Sequence, residues 1–115
     1  IYYKELLKLP IQFQAIPENT VSSFHLFIIR VDNGDKKNKR DKLFKFLRLN
    51  NIYVNLHYRP IHLQPYYKEI GFKEGICPES EKYAQDALTL PLHFNLTKKE
   101  QFKVIKLLYK FFNEN

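Results

Sequence analysis

The stretch of sequence best suited to chemistry is HYRPIHLQPYY, residues 57–67. It combines two histidines, an arginine, a glutamine and three tyrosines with two prolines. Prolines stiffen the backbone, so side chains on such a segment lose little conformational entropy when they bind a ligand. The pattern is typical of a ligand-binding loop, and equally of a proline-rich connector whose tyrosines close the edge of a core.

Each polar residue in or near this stretch allows two interpretations. His57 falls on the polar side of the alternating run that precedes it and can simply be exposed, whereas His62 can be a hydrogen-bonded core histidine. Arg59 can pair with a surface carboxylate, although its planar guanidinium also suits a phosphate. His25 lies within the most apolar run of the chain, where a structural role is the more common one.

No motif outside this stretch names a reaction. Paired carboxylates, a nucleophile elbow and a glycine-rich phosphate loop are all absent from the sequence. No His/Cys spacing is typical of a zinc site. The single cysteine, Cys77, cannot form an internal disulfide and fits a spectator thiol in a reducing cytoplasm.

The chain is basic, with 19 Lys and Arg against 12 Asp and Glu and a net charge of +7. Much of the surplus lies in a basic cluster formed by Lys36, Lys37, Lys39, Arg40 and Lys42. Such a cluster can contact a polyanion, but no aromatic residues interleave with it as single-strand binding requires. A solvated helix face is the plainer interpretation. No apolar run reaches the roughly 20 residues of a membrane helix.

The helices and strands around residues 57–67, the candidate loop, can be predicted from the periodicity of the apolar residues. Residues 24–31 (FHLFIIRV) form a nearly continuous apolar run and predict a central strand, and residues 52–58 alternate and predict a second one. Residues 11–16 predict a shorter strand. Turn chemistry at residues 32–35 leads into a predicted helix over residues 39–50, which the following asparagines end.

The second half of the chain is mainly helical. Helical turns over residues 65–70 should close at Gly71, and Pro78 should open a helix over residues 79–88. The capping box formed by Thr97 and Glu100 opens the clearest helix of the sequence. Strands mixed with helices without strict alternation predict one α+β (two-layer α/β) domain over residues 1–115, with a small, mostly antiparallel sheet covered by helices.

Several motifs in this order resemble the C-terminal region of the DegT/DnrJ/StrS sugar aminotransferases. Residues 57–67 follow the family pattern H-Y-x-P-[LI]-H-x-Q-P-x-Y, and SSFHLFIIRVD upstream follows S-x-H-L-[FY]-x-[IV]-R-[VL]. RDKL then matches R-D-x-[FL], PESE matches P-x-[AS]-E, LTLPL matches L-[ST]-L-P-L, and TKKE matches T-x-x-[EQ]. The resemblance runs from about Val21 to the end of the chain.

The resemblance implies the C-terminal small domain of a fold-type I aminotransferase that is a cytoplasmic homodimer. Such enzymes move an amino group from glutamate onto a keto sugar linked to a nucleotide, for surface polysaccharides or flagellar sugars. Pyridoxal phosphate would be bound by a lysine of the N-terminal large domain, which this sequence lacks, so the chain alone should be inactive. The nearest subfamily is the pseudaminic acid or spore coat polysaccharide type, acting on a UDP-linked 4-keto-6-deoxy hexosamine.

By the same resemblance, the candidate loop faces the sugar nucleotide. The predicted substrate-binding residues are His57, Tyr58, Arg59, Pro60, Ile61 and His62. No catalytic residue or metal ligand is predicted, and the expected partners are the protein's own large domain, a UDP-sugar, glutamate and a second subunit, without nucleic acid or membrane. The alternative is a non-enzymatic module that binds a nucleotide or polyanion through the basic cluster and Arg59.

Overall fold

The computed structural model describes residues 1–31 and 38–114. The predicted turn at residues 32–35 and two lysines of the basic cluster, Lys36 and Lys37, lie outside the described residues. The helices are α1 (Tyr2–Leu6), α2 (Lys39–Leu49), α3 (Pro65–Glu69), α4 (Pro78–Asp86) and α5 (Lys98–Glu114), with a 3-10 turn over Ile61–Leu63. The strands are β1 (Ile11–Phe13), β2 (Phe27–Val31) and β3 (Ala87–Leu90).

The three strands form one sheet in the order β1-β2-β3, and both pairs are antiparallel. Strand β2 is central, as the sequence predicts, and its Ile29 lies between Phe13 of β1 and Leu88 of β3. Alternate residues of β2 point to opposite faces. Phe27, Ile29 and Val31 are therefore buried, whereas the two residues between them are only half-buried.

The core lies between the buried face of this sheet and helices α1, α2 and α5. Leu43 and Leu47 of α2, Leu108 of α5 and Leu6 of α1 are all fully buried in it. On the other face of the sheet, the Arg30 guanidinium contacts Asp86 of α4 at 3.3 Å. Helices therefore contact the sheet on both sides, and the predicted α+β fold with a small antiparallel sheet is confirmed.

Local chemistry ends two helices where the sequence predicts. After α2, Asn51 adopts the left-handed conformation (φ 59°), and the Ile52 amide donates to the Leu47 carbonyl at 2.9 Å. Gly71 (φ 104°) ends α3 in the same way. At the start of α5 the capping box is formed, because the Glu100 amide donates to the Thr97 hydroxyl at 3.2 Å and the Thr97 amide donates to Glu100 at 2.9 Å.

One predicted helix and one predicted strand are wrong at one end. The helix predicted over residues 79–88 ends at Asp86, and Ala87–Leu90 forms the third strand instead. A short apolar run without alternation cannot be assigned to helix or strand by periodicity, and here pairing with β2 decides. Strand β2 begins only at Phe27, because Phe24 has a positive φ of 48°, so His25 is exposed and lies outside the strand.

The strand predicted over residues 52–58 is also wrong, because only an isolated bridge between Asn55 and Thr89 forms. An antiparallel ladder would continue at Pro91, which has no N–H, and at Ala87. The Ala87 carbonyl already accepts a hydrogen bond from the Arg40 guanidinium at 3.1 Å. The ladder therefore lacks a donor at Pro91 and meets competition from Arg40 at Ala87, and the chain leaves the sheet.

Candidate functional site

The predicted site residues alternate between the interior and the surface. Pro60 and His62 are buried, whereas Tyr58 (96% exposed), Arg59 and Ile61 (68% exposed) face outward. The 3-10 turn produces this alternation, with the Leu63 amide donating to the Pro60 carbonyl at 3.0 Å. The side chains of Tyr58, Arg59 and Ile61 are thus presented to solvent on either side of the buried Pro60.

His57 contacts β3, an outer strand of the sheet. Its Nε2 lies 2.9 Å from the Thr89 hydroxyl, and its ring centre lies 5.6 Å from that of Tyr83 in α4. Burial lowers the pKa of His57, and the positive charge of Arg40 lowers it further. The imidazole is half-buried, so the interpretation of His57 as a simply exposed residue is wrong.

His62 forms a buried pair with Glu81, with 2.8 Å between its Nε2 and the carboxylate Oε1. The same carboxylate accepts hydrogen bonds from the amides of Gly75 at 2.9 Å and Cys77 at 3.3 Å. The hydrogen bond from His62, followed by those from the two amides, outweighs burial and lowers the pKa of Glu81. The core-histidine interpretation of His62 is therefore confirmed, because the residue is buried and hydrogen-bonded.

A cleft of about 280 Å³ lies beside the turn. Its wall includes His57, Arg59, Pro60 and Glu81, and Arg40 and Glu74 also line it. The exposed Arg59 guanidinium gives this cleft a group suited to phosphate or carboxylate oxygens. A larger cleft of about 440 Å³ is lined by Asn51, Tyr53 and His93, among others, and by none of the six predicted site residues.

Sequence reasoning missed the residues that hold the turn in place. Glu81 and Thr89 are both buried and bond His62 and His57, respectively. Both lie in stretches that match the resemblance, Glu81 at the end of PESE and Thr89 within LTLPL. Those matches are the signal that could have identified them, because periodicity marks neither residue.

The described part of the basic cluster is partly packed into the fold. The Arg40 guanidinium donates to the Ala87 carbonyl and lies 2.7 Å from Asp41. The Lys39 ammonium lies 5.0 Å from the centre of the Phe112 ring. Lys42 alone of the three described members is exposed, so the cluster offers a polyanion less free charge than its composition indicates.

Comparison with known proteins decides the family. The model of the DegT/DnrJ/EryC1/StrS aminotransferase family matches residues 1–109. The chain belongs to this family.

This chain spans less than a third of the length of each of the following similar proteins. It is 38% identical over 90 residues to the "Pleiotropic regulatory protein" of Geobacillus stearothermophilus, covering 77% of this chain and 23% of that protein. Spr1654 of Streptococcus pneumoniae, named as a sugar aminotransferase and solved in its PMP form, matches with a TM-score of 0.85 and 28% identity over 98% of this chain and 28% of its own. DesV of S. venezuelae, solved with a ketimine intermediate, matches with a TM-score of 0.84 and 29% identity over 96% of this chain and 29% of its own.

No described lysine has, within this chain, the surroundings that activate a Schiff-base lysine. A lysine that forms a Schiff base is activated by removal from water or by a neighbouring cation. Every described lysine except Lys39 is exposed, and Lys39 is half-buried over the Phe112 ring. Within residues 1–31 and 38–114, no group of His, Cys, Asp and Glu side chains could hold a metal ion. In the same ranges no helix has the length and apolar character needed to span a bilayer.

Proposed function

We propose that this chain is the C-terminal small domain of a pyridoxal-phosphate-dependent sugar aminotransferase. In this proposal, Tyr58, Arg59 and Ile61 contact a nucleotide-linked 4-keto-6-deoxy sugar. Glutamate is the amino donor, and the cofactor supplies the electron sink for amino transfer. The observation that carries the proposal is the outward presentation of these three side chains beside a cleft, in a member of an aminotransferase family.

The division of labour within the turn supports a role in substrate recognition. Pro60 and His62 anchor the turn and are buried, which leaves Arg59 free to meet a charged ligand. A guanidinium presents several donors in a plane and binds phosphate oxygens in pairs. We therefore assign recognition to Tyr58, Arg59 and Ile61, while His57, Pro60 and His62 support them from behind.

Exposed apolar side chains support a large domain as partner. Tyr53 is 73% exposed, and further apolar side chains between it and Ile76 are also accessible. Besides Tyr58 and Ile61, which are assigned to the substrate, they include Leu56, Tyr66, Ile70, Phe72 and Ile76. Apolar side chains clustered on a surface mark an interaction site. We propose that the large domain of the parent protein covers this surface and supplies the cofactor lysine.

The proposal has a direct test in the full-length parent protein. The purified parent should show pyridoxal absorbance and should form 2-oxoglutarate from glutamate when a UDP-linked 4-keto-6-deoxy hexosamine is added. Arg59→Ala should raise the KM for the sugar nucleotide about tenfold, which corresponds to the loss of one charged hydrogen bond. The matched control is Lys45→Ala, which removes an exposed cation of α2 that does not line the cleft.

Two results would contradict the proposal. A parent that carries pyridoxal phosphate but leaves every nucleotide-linked keto sugar unchanged would exclude the substrate class. Equal KM values for Arg59→Ala and Lys45→Ala would exclude the assigned role of the turn. The subfamily, the dimeric state and the cytoplasmic location remain predictions.

The alternative function, polyanion binding by the isolated chain, can be separated from this one. If the chain is such a module, it should bind an oligonucleotide or UDP in a saturable and salt-dependent way, and Arg59→Ala should abolish this binding. The contacts that occupy Arg40 and Lys39 favour the aminotransferase proposal. Weak binding that Arg59→Ala leaves unchanged would argue against a binding module.

A further inference from the structure

The Glu81 carboxylate lies at the junction of three segments. It belongs to α4, it accepts hydrogen bonds from the amides of Gly75 and Cys77 in the preceding loop, and it contacts His62 of the 3-10 turn at 2.8 Å. Glu81 and His62 are 8% and 7% exposed, respectively. One buried carboxylate therefore joins the turn to the start of a helix.

A buried carboxylate is stable only when its oxygens are occupied by donors. Oε1 of Glu81 is bonded by His62 and both amides, and Oε2 accepts from the Gly75 amide at 3.0 Å. Glu81 reaches the wall of the 280 Å³ cleft, but the chain itself occupies both oxygens. The carboxylate is thus committed to internal contacts.

Besides His62, the 3-10 turn is held by the buried Pro60 and by local bonds, among them the one that the Gln64 side-chain amide donates to the Arg59 carbonyl at 3.2 Å. No sheet pairing is seen for its residues, and its backbone bonds are local, from the Leu63 amide to Pro60 and from the Gln64 amide to Ile61. His62 directly follows the exposed Ile61 and lies three residues after Arg59. The direction in which these exposed side chains point therefore depends on how His62 is held.

We infer that the His62–Glu81 pair is a positioning device for the sugar-nucleotide site. It fixes the 3-10 turn so that Tyr58, Arg59 and Ile61 point at the substrate, and neither member of the pair touches the substrate. This inference rests on the proposed function, because it concerns the affinity of that same site.

The test uses the full-length parent and the substitution Glu81→Gln, which keeps the shape of the side chain and removes its charge. The KM for the sugar nucleotide should rise roughly tenfold, as for one lost hydrogen bond to a charged group, while kcat and the KM for glutamate should change little. Glu79→Gln, at an exposed position in the first turn of the same helix, is the matched control and should leave all three values unchanged.

Substitutions of His62 provide a rescue experiment. His62→Ala should raise the KM for the sugar nucleotide as Glu81→Gln does, whereas His62→Gln should restore most of the affinity because its amide can still donate to Glu81. If His62→Ala keeps the wild-type KM for the sugar nucleotide, or if His62→Ala and His62→Gln raise this KM equally, the positioning role is overturned.

Amide hydrogen exchange separates positioning from general stability. In Glu81→Gln, exchange should rise at Gly75, Cys77, Leu63 and Gln64, and should stay slow in strand β2. Faster exchange in the turn with an unchanged KM for the sugar nucleotide would refute the inference. A wild-type parent without activity on nucleotide-linked keto sugars would instead refute the proposed function, and the exchange data would still decide whether the pair holds the turn.

Discussion

The Nε2 of His57 lies 2.9 Å from the hydroxyl of Thr89, a residue 32 positions later in the chain. Thr89 also exchanges two backbone hydrogen bonds with Asn55, of 2.9 and 3.3 Å. Thus one buried residue of β3 holds the approach to the candidate loop through both its backbone and its side chain. The loop begins from a fixed point on the sheet even though it has left the sheet.

This contact predicts a measurable coupling between the two side chains. Thr89→Val keeps the shape of the buried residue but leaves the half-buried imidazole without its partner. It should lower the free energy of unfolding by about 1 kcal/mol. A double-mutant cycle that combines Thr89→Val with His57→Phe, measured by chemical denaturation, should give a coupling energy of similar size. Additive effects of the two substitutions would show that the contact contributes nothing.

Acidification should destabilise the chain through His57. Burial and then the charge of Arg40 lower the pKa of His57 below its ordinary value of 6.5. As the pH falls below 6.5, the unfolded chain takes up this proton before the folded chain does, so the free energy of unfolding decreases until the folded pKa is reached. The stabilisation that neutral His57 provides to the folded chain is fully present above pH 6.5.

Denaturation of wild type and His57→Phe across about pH 5 to 8 tests this expectation. The variant should show a shallower loss of stability on acidification. An NMR titration of the imidazole should give a midpoint below 6.5 for His57. A midpoint above that value, or the same pH slope in both proteins, would contradict the assigned environment.

The helix ends could be predicted because their chemistry is local. The Thr97 and Glu100 side chains meet the backbone within one helical turn, and Asn51 needs only its own tolerance of positive φ. Residues 89–92 are expected from the sequence to be extended, but the start of strand β3 at Ala87 could not be predicted, because it depends on pairing with β2, about 60 residues earlier in the sequence. Beside Asn55, the Ala87 carbonyl is bonded by Arg40, a contact that sequence spacing does not reveal.

The candidate site, too, was predictable from the sequence only where it depends on local features. The proline-stiffened run was visible in the sequence, and three of its side chains face outward as a recognition loop requires. The inward position of His62 depends on Glu81, 19 residues later, and that contact cannot be derived from the spacing of the run. Contact between the run and a substrate remains a prediction.

Strand β3 should contribute strongly to stability. Leu88 is fully buried and lies opposite Ile29 in the centre of the sheet. Leu88→Ala leaves a cavity and should lower the free energy of unfolding by about 2–5 kcal/mol. Leu49→Ala, at a position 84% exposed at the end of α2, should cost less than about 0.5 kcal/mol. Similar losses in both variants, measured by denaturation, would mean that β3 is not part of the core.

Alanine substitutions at two glycines with positive φ can distinguish the effect of backbone strain from the effect of losing the contact with Glu81. Gly71 (φ 104°) and Gly75 (φ 91°) each have open space where a Cβ would lie, so alanine at either position meets only conformational strain. Each substitution should lower the free energy of unfolding by about 1–2 kcal/mol. The Gly75 amide, however, donates to Glu81, whereas the Gly71 amide donates to the Lys68 carbonyl at the end of α3.

The two variants should therefore differ in where they loosen the chain. Gly75→Ala should speed amide exchange at Cys77 and in the 3-10 turn, because relief of the strained φ moves a donor away from the carboxylate that holds His62. Gly71→Ala should speed exchange at Phe72, whose amide donates to Tyr67 at 2.9 Å, and leave the 3-10 turn protected. Equal exchange in the turn of both variants would mean that Glu81 does not transmit the position of Gly75 to His62.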